Sequence, residues 1–173
     1  MRRRDLLAGG LGLAGLGAGS WYVLDGGRGH SLRPVTVETI RAAGSQAGTM
    51  RVPVAGRVTV VDVFSVGCVP CKAETRRLAA VRSSLGADVQ LVSVTNDAIG
   101  GTLTRDDVRR WWRANDGDWP VALDAGGQLT RELSVTGLPT LGVVAPDGTL
   151  TYRHAGLVST GDLRAAVQRA RPT

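Results

Sequence analysis

Val61-Asp62-Val63-Phe64-Ser65-Val66-Gly67-Cys68-Val69-Pro70-Cys71-Lys72 holds the only two cysteines of the chain, three positions apart and just after a β-branched run. Val58 to Phe64 is apolar in the alternating and then continuous register of a buried strand, and Pro70 to Leu85 carries good helix formers. The cysteines therefore fall at a strand-to-helix junction. Across the first helical turn their sulfurs share a face and can close a small disulfide with little backbone movement. Cys68 takes the helix N-terminus, where unpaired backbone N–H groups and the positive dipole end favour a thiolate. Cys68 is then the nucleophile and Cys71 the resolving thiol. Pro70 suits the first turn, because the N–H it lacks would be unpaired there.

A cysteine pair of this spacing can also be half of a zinc or copper site, or a structural bridge. Tetrahedral zinc takes four N or S ligands. This chain has no second such pair, and its two histidines, His30 and His154, lie far apart with no ligand spacing between them. The redox reading is preferred, and transient copper(I) binding by the reduced pair is compatible with it.

Two segments resemble a known family. Val61-Asp62-Val63-Phe64 resembles the Val-Asp-Phe-Trp entry of thioredoxins, and Cys68-Val69-Pro70-Cys71-Lys72 resembles their Cys-Gly-Pro-Cys-Lys, with a Val-Pro dipeptide closer to the TlpA/ResA branch. Leu129 to Thr140, then Ala145-Pro146-Asp147-Gly148, then Tyr152 to Gly156 resemble that branch's succession of helix, cis-proline loop, strand, Asp-Gly turn, strand and glycine. The likeness runs from about Leu32 to the end. It implies an α/β thioredoxin fold, a central mixed sheet flanked by helices, and catalysis by the dithiol with no cofactor. It also implies that Asp62 is the base for Cys71 and that Pro139 is a cis-proline facing the disulfide. A cis-proline there presents the backbone of Leu138 to an extended substrate peptide and leaves no room for a metal on the thiols. Gly67, Val69, Pro70 and Leu138 would form the substrate surface. Gly67 departs from the family, which usually carries tryptophan before the first cysteine, and a glycine loosens a turn.

Asp62 is also informative without the resemblance. In an apolar strand its carboxylate is costly to ionise, so burial should raise its pKa toward a value useful for proton transfer. The plainer alternative is an Asp at the strand end paired with Lys or Arg.

Composition bounds the rest. At 173 residues and 43% hydrophobic, the chain suits one domain behind a short N-terminal segment. The net charge of +6 comes almost wholly from arginine, three of them Arg2, Arg3 and Arg4, and the remainder is scattered rather than gathered with aromatics. Nucleic-acid binding is therefore not expected. Met1-Arg2-Arg3-Arg4-Asp5-Leu6-Leu7 resembles a twin-arginine export signal, and Leu6 to Leu24 behind it is apolar but glycine-rich. Ala18-Gly19-Ser20 offers a cleavage site, while the 19-residue length of that apolar stretch also suits an uncleaved membrane anchor. Residues 1–24 thus read as export signal or anchor, 25–33 as linker and 34–173 as the thioredoxin-like domain. The location expected is extracytoplasmic, in the periplasm or on the outer face of the membrane, as a monomer. Outside the cytosol, with no spare cysteine, the fold rests on packing and the pair is free to cycle.

Along the chain, Val35 to Ile40 and Thr49 to Val54 alternate as an N-terminal β-hairpin, with Pro53 acceptable on an edge. Gln90 to Thr95 is a strand, and Thr104 with Asp107 forms a capping box on a helix reaching Asn115. Val121 to Leu123, Leu141 to Val144 and Thr149 to Arg153 are strands, and Ser159 with Asp162 caps a last helix ending near Arg169. Helical spacing of Val108, Trp111 and Trp112 puts at least one tryptophan in the core. Asn96 and Asp97 read as a plain turn, with the rim of the site as the alternative, and His154 as structural.

In the implied mechanism Cys68 attacks a partner disulfide and Cys71 resolves the mixed disulfide. The resemblance implies oxidised protein partners, such as apocytochrome c haem-attachment cysteines or copper-site cysteines, and a membrane thiol donor that recharges the pair. Two alternatives stay open: a copper(I)-handling dithiol module, and an oxidase running the same site backward. Peroxide reduction is disfavoured, since the Pro-x-x-x-Thr-x-x-Cys context of such sites is absent.

Overall fold

The computed structural model describes residues 30–172, so the expected export signal or anchor over residues 1–24 lies outside the described residues. Eight strands form one mixed sheet in the order β1-β8-β7-β4-β5-β6-β2-β3. They are β1 His30–Ser31, β2 Val35–Thr39, β3 Gly48–Val52, β4 Val58–Phe64, β5 Val89–Thr95, β6 Val121–Leu123, β7 Thr140–Val144 and β8 Thr149–Ala155. The helices are α1 Val69–Val81, α2 Arg105–Ala114, α3 Gln128–Glu132 and α4 Thr160–Ala170. This is a thioredoxin fold, with an N-terminal hairpin β2–β3 added at one edge.

Every residue of β4 is buried, because the strand is central and covered on both faces. It pairs in parallel with β5, Asp62 opposite Ser93, and antiparallel with β7, Asp62 opposite Leu141. The β4-α1-β5 segment is thus a βαβ unit. The period-two alternation of side chains splits the core. Val60 and Phe64 pack with Leu78 of α1, Trp111 and Trp112 of α2 and Leu163 of α4, whereas Val61 and Val63 pack on the other face with Leu129 and Leu133 around α3.

The sequence patterns for the elements hold, with local adjustments. The expected helix to Leu85 stops at Val81 and tightens into a 3₁₀ turn over Arg82–Ser84. Ser84 supplies the reason: its hydroxyl donates to the carbonyl of Val81 at 2.7 Å, a local bond that competes with the helical ladder. The Thr104–Asp107 capping box and the Ser159 cap form as read. Both Trp111 and Trp112 are buried, and Phe64 stacks on Trp111 at 4.7 Å. His30 to Arg33, read as the end of a linker, belong to the domain. β1 pairs with β8, Leu32 is buried and its N–H donates to the carbonyl of Gly148, and Arg33 forms an ion pair with Glu132.

The hairpin reaches the sheet through β2 and β6, Glu38 opposite Leu123. It therefore lies at the edge opposite β8. Pro53 follows β3, the last strand on that edge, where no ladder bond is lost.

Candidate functional site

The carboxyl ends of β4 and β5 and the amino end of β7 meet at one end of the sheet, because β5 runs parallel to β4 and β7 antiparallel. The loops leaving them therefore converge. From β4 comes the turn carrying the cysteines, from β5 the loop with Asp97, and into β7 the loop ending in Leu138–Pro139.

Cys68 caps α1 and is joined to Cys71 by a disulfide, with Cα atoms 5.3 Å apart. Cys71 is fully buried, while Cys68 is half-buried. The Cys71 N–H points at Cys68 Sγ at 3.2 Å, so one first-turn donor that would stabilise a thiolate at Cys68 is already aimed at it. Pro70 occupies the first turn as read. The Leu138–Pro139 peptide bond is cis. The carbonyl of Pro139 accepts from the N–H of Gly156 at 2.7 Å, which ties this loop to the segment after β8.

Asp62 is completely buried and has no Lys or Arg partner; the ion-paired alternative is not what the structure shows. Its Oδ2 accepts from the Ser93 hydroxyl at 2.7 Å, and its Oδ1 has no hydrogen-bond partner. Burial moves its pKa from the ordinary aspartate value of 3.8 to about 7, against the lowering effect of the Ser93 bond and with a further rise from nearby Glu74. A carboxyl balanced near neutrality, on the same sheet face as buried Cys71, can give or take a proton at physiological pH.

Two further acidic residues stand beside the cysteine loop, Glu74, which the sequence reading passed over, and Asp97. Glu74, three positions after Cys71, is buried on the same side of α1. Its Oε2 accepts from the Val158 N–H at 3.1 Å and from Arg77 at 3.2 Å, and Oε1 has no partner. Burial raises its pKa, opposed by the Val158 bond and the Arg77 charge. Helical spacing from Cys71 was a signal that could have found it. Asp97, read as a plain turn, holds the cysteine loop. It accepts from the Ser65 hydroxyl at 2.7 Å, the Val66 N–H at 2.9 Å and the Thr95 hydroxyl at 2.8 Å.

That anchoring bears on Gly67. The turn is pinned rather than loosened, and a Cβ at Gly67 would meet only Ser65 Oγ, at 3.8 Å. Neither strain nor crowding requires glycine there, and the position is open to solvent. Val69, at 74% exposure, and Leu157, at 43%, are the large hydrophobics exposed among the described residues. Leu157 adjoins Gly156, so both border the same end of the sheet. His154 is exposed on β8 and lies in a stacked arrangement with Tyr152.

Among the described residues no three His, Cys, Asp or Glu are gathered as a metal ion would need, and no helix is long and apolar enough to cross a membrane.

A thioredoxin fold with a disulfide-forming cysteine pair at the start of its first helix defines a thioredoxin-like protein-disulfide oxidoreductase, working through that pair rather than a cofactor. The chain belongs to the Redoxin family, whose pattern matches residues 29–168. Solved structures with the same fold include StoA from Bacillus subtilis, at 21% identity and a TM-score of 0.64, covering 78% of this chain and 96% of StoA. A putative thiol:disulfide interchange protein DsbE from Chlorobium tepidum matches at 20% identity and 0.66, covering 83% and 97%. The exposed lipoprotein thioredoxin of Streptococcus pneumoniae matches at 18% identity and 0.65, covering 79% and 99%. At these identities the likeness is one of fold.

Proposed function

We propose that this chain is an extracytoplasmic reductase of protein disulfides, of the TlpA/ResA kind. The observation that carries the reading is a half-exposed Cys68 capping α1, bonded to a fully buried Cys71 that shares its core face with the neutral-range acid Asp62. The asymmetry separates the roles. Cys68 Sγ attacks one sulfur of a substrate disulfide; the S–S bond breaks, the other substrate sulfur leaves as a thiolate, and a mixed disulfide forms. Asp62 takes the proton of Cys71, whose thiolate then attacks Cys68 Sγ. The second substrate sulfur leaves, the Cys68–Cys71 bond closes, and two electrons have passed to the substrate.

Gly67, Val69, Pro70 and Leu138, with Leu157, form the surface that meets the substrate chain. The partners proposed are oxidised cysteine pairs of apocytochrome c or of copper sites, with a membrane thiol donor returning electrons to the pair. Export rests on the Arg2-Arg3-Arg4 segment and its apolar follow-on.

The test is the equilibrium reduction potential of the pair in glutathione and dithiothreitol buffers, together with turnover of a disulfide-bonded peptide. A value near or below about −230 mV supports a reductase. A value near about −120 mV would reverse the direction and make the protein a disulfide-forming oxidant. Stoichiometric copper(I) retained through gel filtration, without disulfide turnover, would replace the enzyme with a metal-handling module.

A further inference from the structure

Deeper in the sheet, away from the cysteine loop, a chain of buried hydrogen bonds ends on Asp62. The Trp119 indole N–H donates to Ser93 Oγ at 2.9 Å, and Ser93 Oγ donates to Asp62 Oδ2 at 2.7 Å. All three residues are 2% exposed or less. The direction of the first link is forced by chemistry. An indole nitrogen can only donate, so Ser93 Oγ must accept from Trp119. The hydroxyl proton of Ser93 is then free for Asp62, and an ionised Oδ2 can only accept it.

We propose that Ser93 and Trp119 are positioning residues that make Asp62 one-sided. Oδ2 is kept as an acceptor, and the proton that Asp62 exchanges rides on Oδ1, the oxygen with no other partner. The inference rests on the reading of Asp62 as the proton acceptor for Cys71 and adds which atom does the exchange and what orients it. The charged neighbour that acts on Asp62 is Glu74 on α1, itself paired with Arg77, while Cys71 on the same face of the sheet is held in the disulfide until the protein is reduced. Ser93 on β5, Leu141 on β7 and Trp119 before β6 carry no charge.

The hydroxyl bond favours the ionised carboxylate, because an acceptor that already receives a hydrogen bond loses less on ionising. Losing it should move the Asp62 titration upward by about one pH unit, the equivalent of one hydrogen bond. Mixed-disulfide resolution near neutral pH then falls about fivefold and recovers to the wild-type rate at higher pH, since only the fraction of ionised Asp62 has changed.

The experiment follows the Asp62 carboxyl carbon by NMR across pH in the oxidised full chain, and the pH profile of resolution in the reduced one. Ser93→Ala should shift both to higher pH, Trp119→Phe should shift them less in the same direction, and Ser93→Thr should restore them. Wild-type titration of Asp62 in both Ser93→Ala and Trp119→Phe would overturn the proposal. Asp62→Asn separates the two readings: a resolution profile unaltered by it ends the role of Asp62 as base, whereas the carboxyl titration in the Ser93 and Trp119 variants judges the positioning alone.

Discussion

Asp62 carries an energetic liability that its role explains. Its carboxyl titrates at about 7 in the fold and at 3.8 when unperturbed, so between those values the folded protein holds a proton that the unfolded chain has lost. Stability therefore falls as pH rises through this window, is undiminished only below about pH 3.8 and reaches its full deficit above about pH 7. At roughly 1.4 kcal/mol per unit the deficit is on the order of 4 kcal/mol. Asp62→Asn keeps an acceptor for Ser93 but adds an amide donor to a buried site at a cost of about 2 kcal/mol, so we expect it to stabilise the protein by about 2 kcal/mol at pH 8 and to destabilise it by about 2 kcal/mol at pH 4. Denaturant melts at the two pH values check this; equal gains at both would refute the burial argument. Asp97 makes the opposite prediction. Asp97→Ala strips partners from the Val66 N–H and two hydroxyls, and should cost about 1–3 kcal/mol while slowing attack by Cys68 through a loosened turn.

At the scale of elements, short local signals did most of the placing. Thr104 and Asp107 cap α2 reciprocally, with 2.8 Å from the Thr104 N–H to the Asp107 carboxylate and 3.2 Å from the Asp107 N–H to the Thr104 hydroxyl. Thr104→Ala should cost about 1 kcal/mol, visible as a lower unfolding midpoint with an unchanged denaturant slope. A loss below a few tenths would mean that α2 is held by Trp111 and Trp112 alone. β4 was legible because both of its faces are covered, which leaves a continuous apolar run broken only by Asp62 and Thr59. The end of α1 was not legible, since Ser84 competes for the Val81 carbonyl only once the turn exists.

The whole molecule is tied together by contacts that no local pattern announces. Gly44, between β2 and β3, has a φ of +67° and sits so close to the chain before β6 that a Cβ would lie 2.0 Å from the carbonyl carbon of Asp118. Here glycine is required, because backbone and not a flexible side chain stands in the way. The neighbouring Ala43 carbonyl accepts from the Trp112 indole N–H at 3.1 Å, which locks the hairpin to α2. Gly44→Ala should destabilise by more than about 2 kcal/mol through strain and a displaced hairpin. Gly101→Ala, where nothing lies within 4 Å, should stay within about 0.5 kcal/mol of wild type. Thermal melts of the pair make the comparison, and equal midpoints would show that the hairpin is free of the sheet.

By itself the sequence determined most of the strands and helices, β1 and α3 excepted, along with the caps and the strand-to-helix junction that seats Cys68 and Cys71, because these depend on side-chain periodicity and on groups a few residues apart. The tertiary structure alone decided what surrounds them. It set Ser93 rather than an arginine against Asp62, 31 positions away, brought Glu74 under the Val158 N–H, 84 positions away, and hung the hairpin on β6. Strand register and helix-over-sheet packing select such partners, and both are properties of the assembled core: a serine or a glutamate looks the same in sequence whether it meets water or a buried carboxyl.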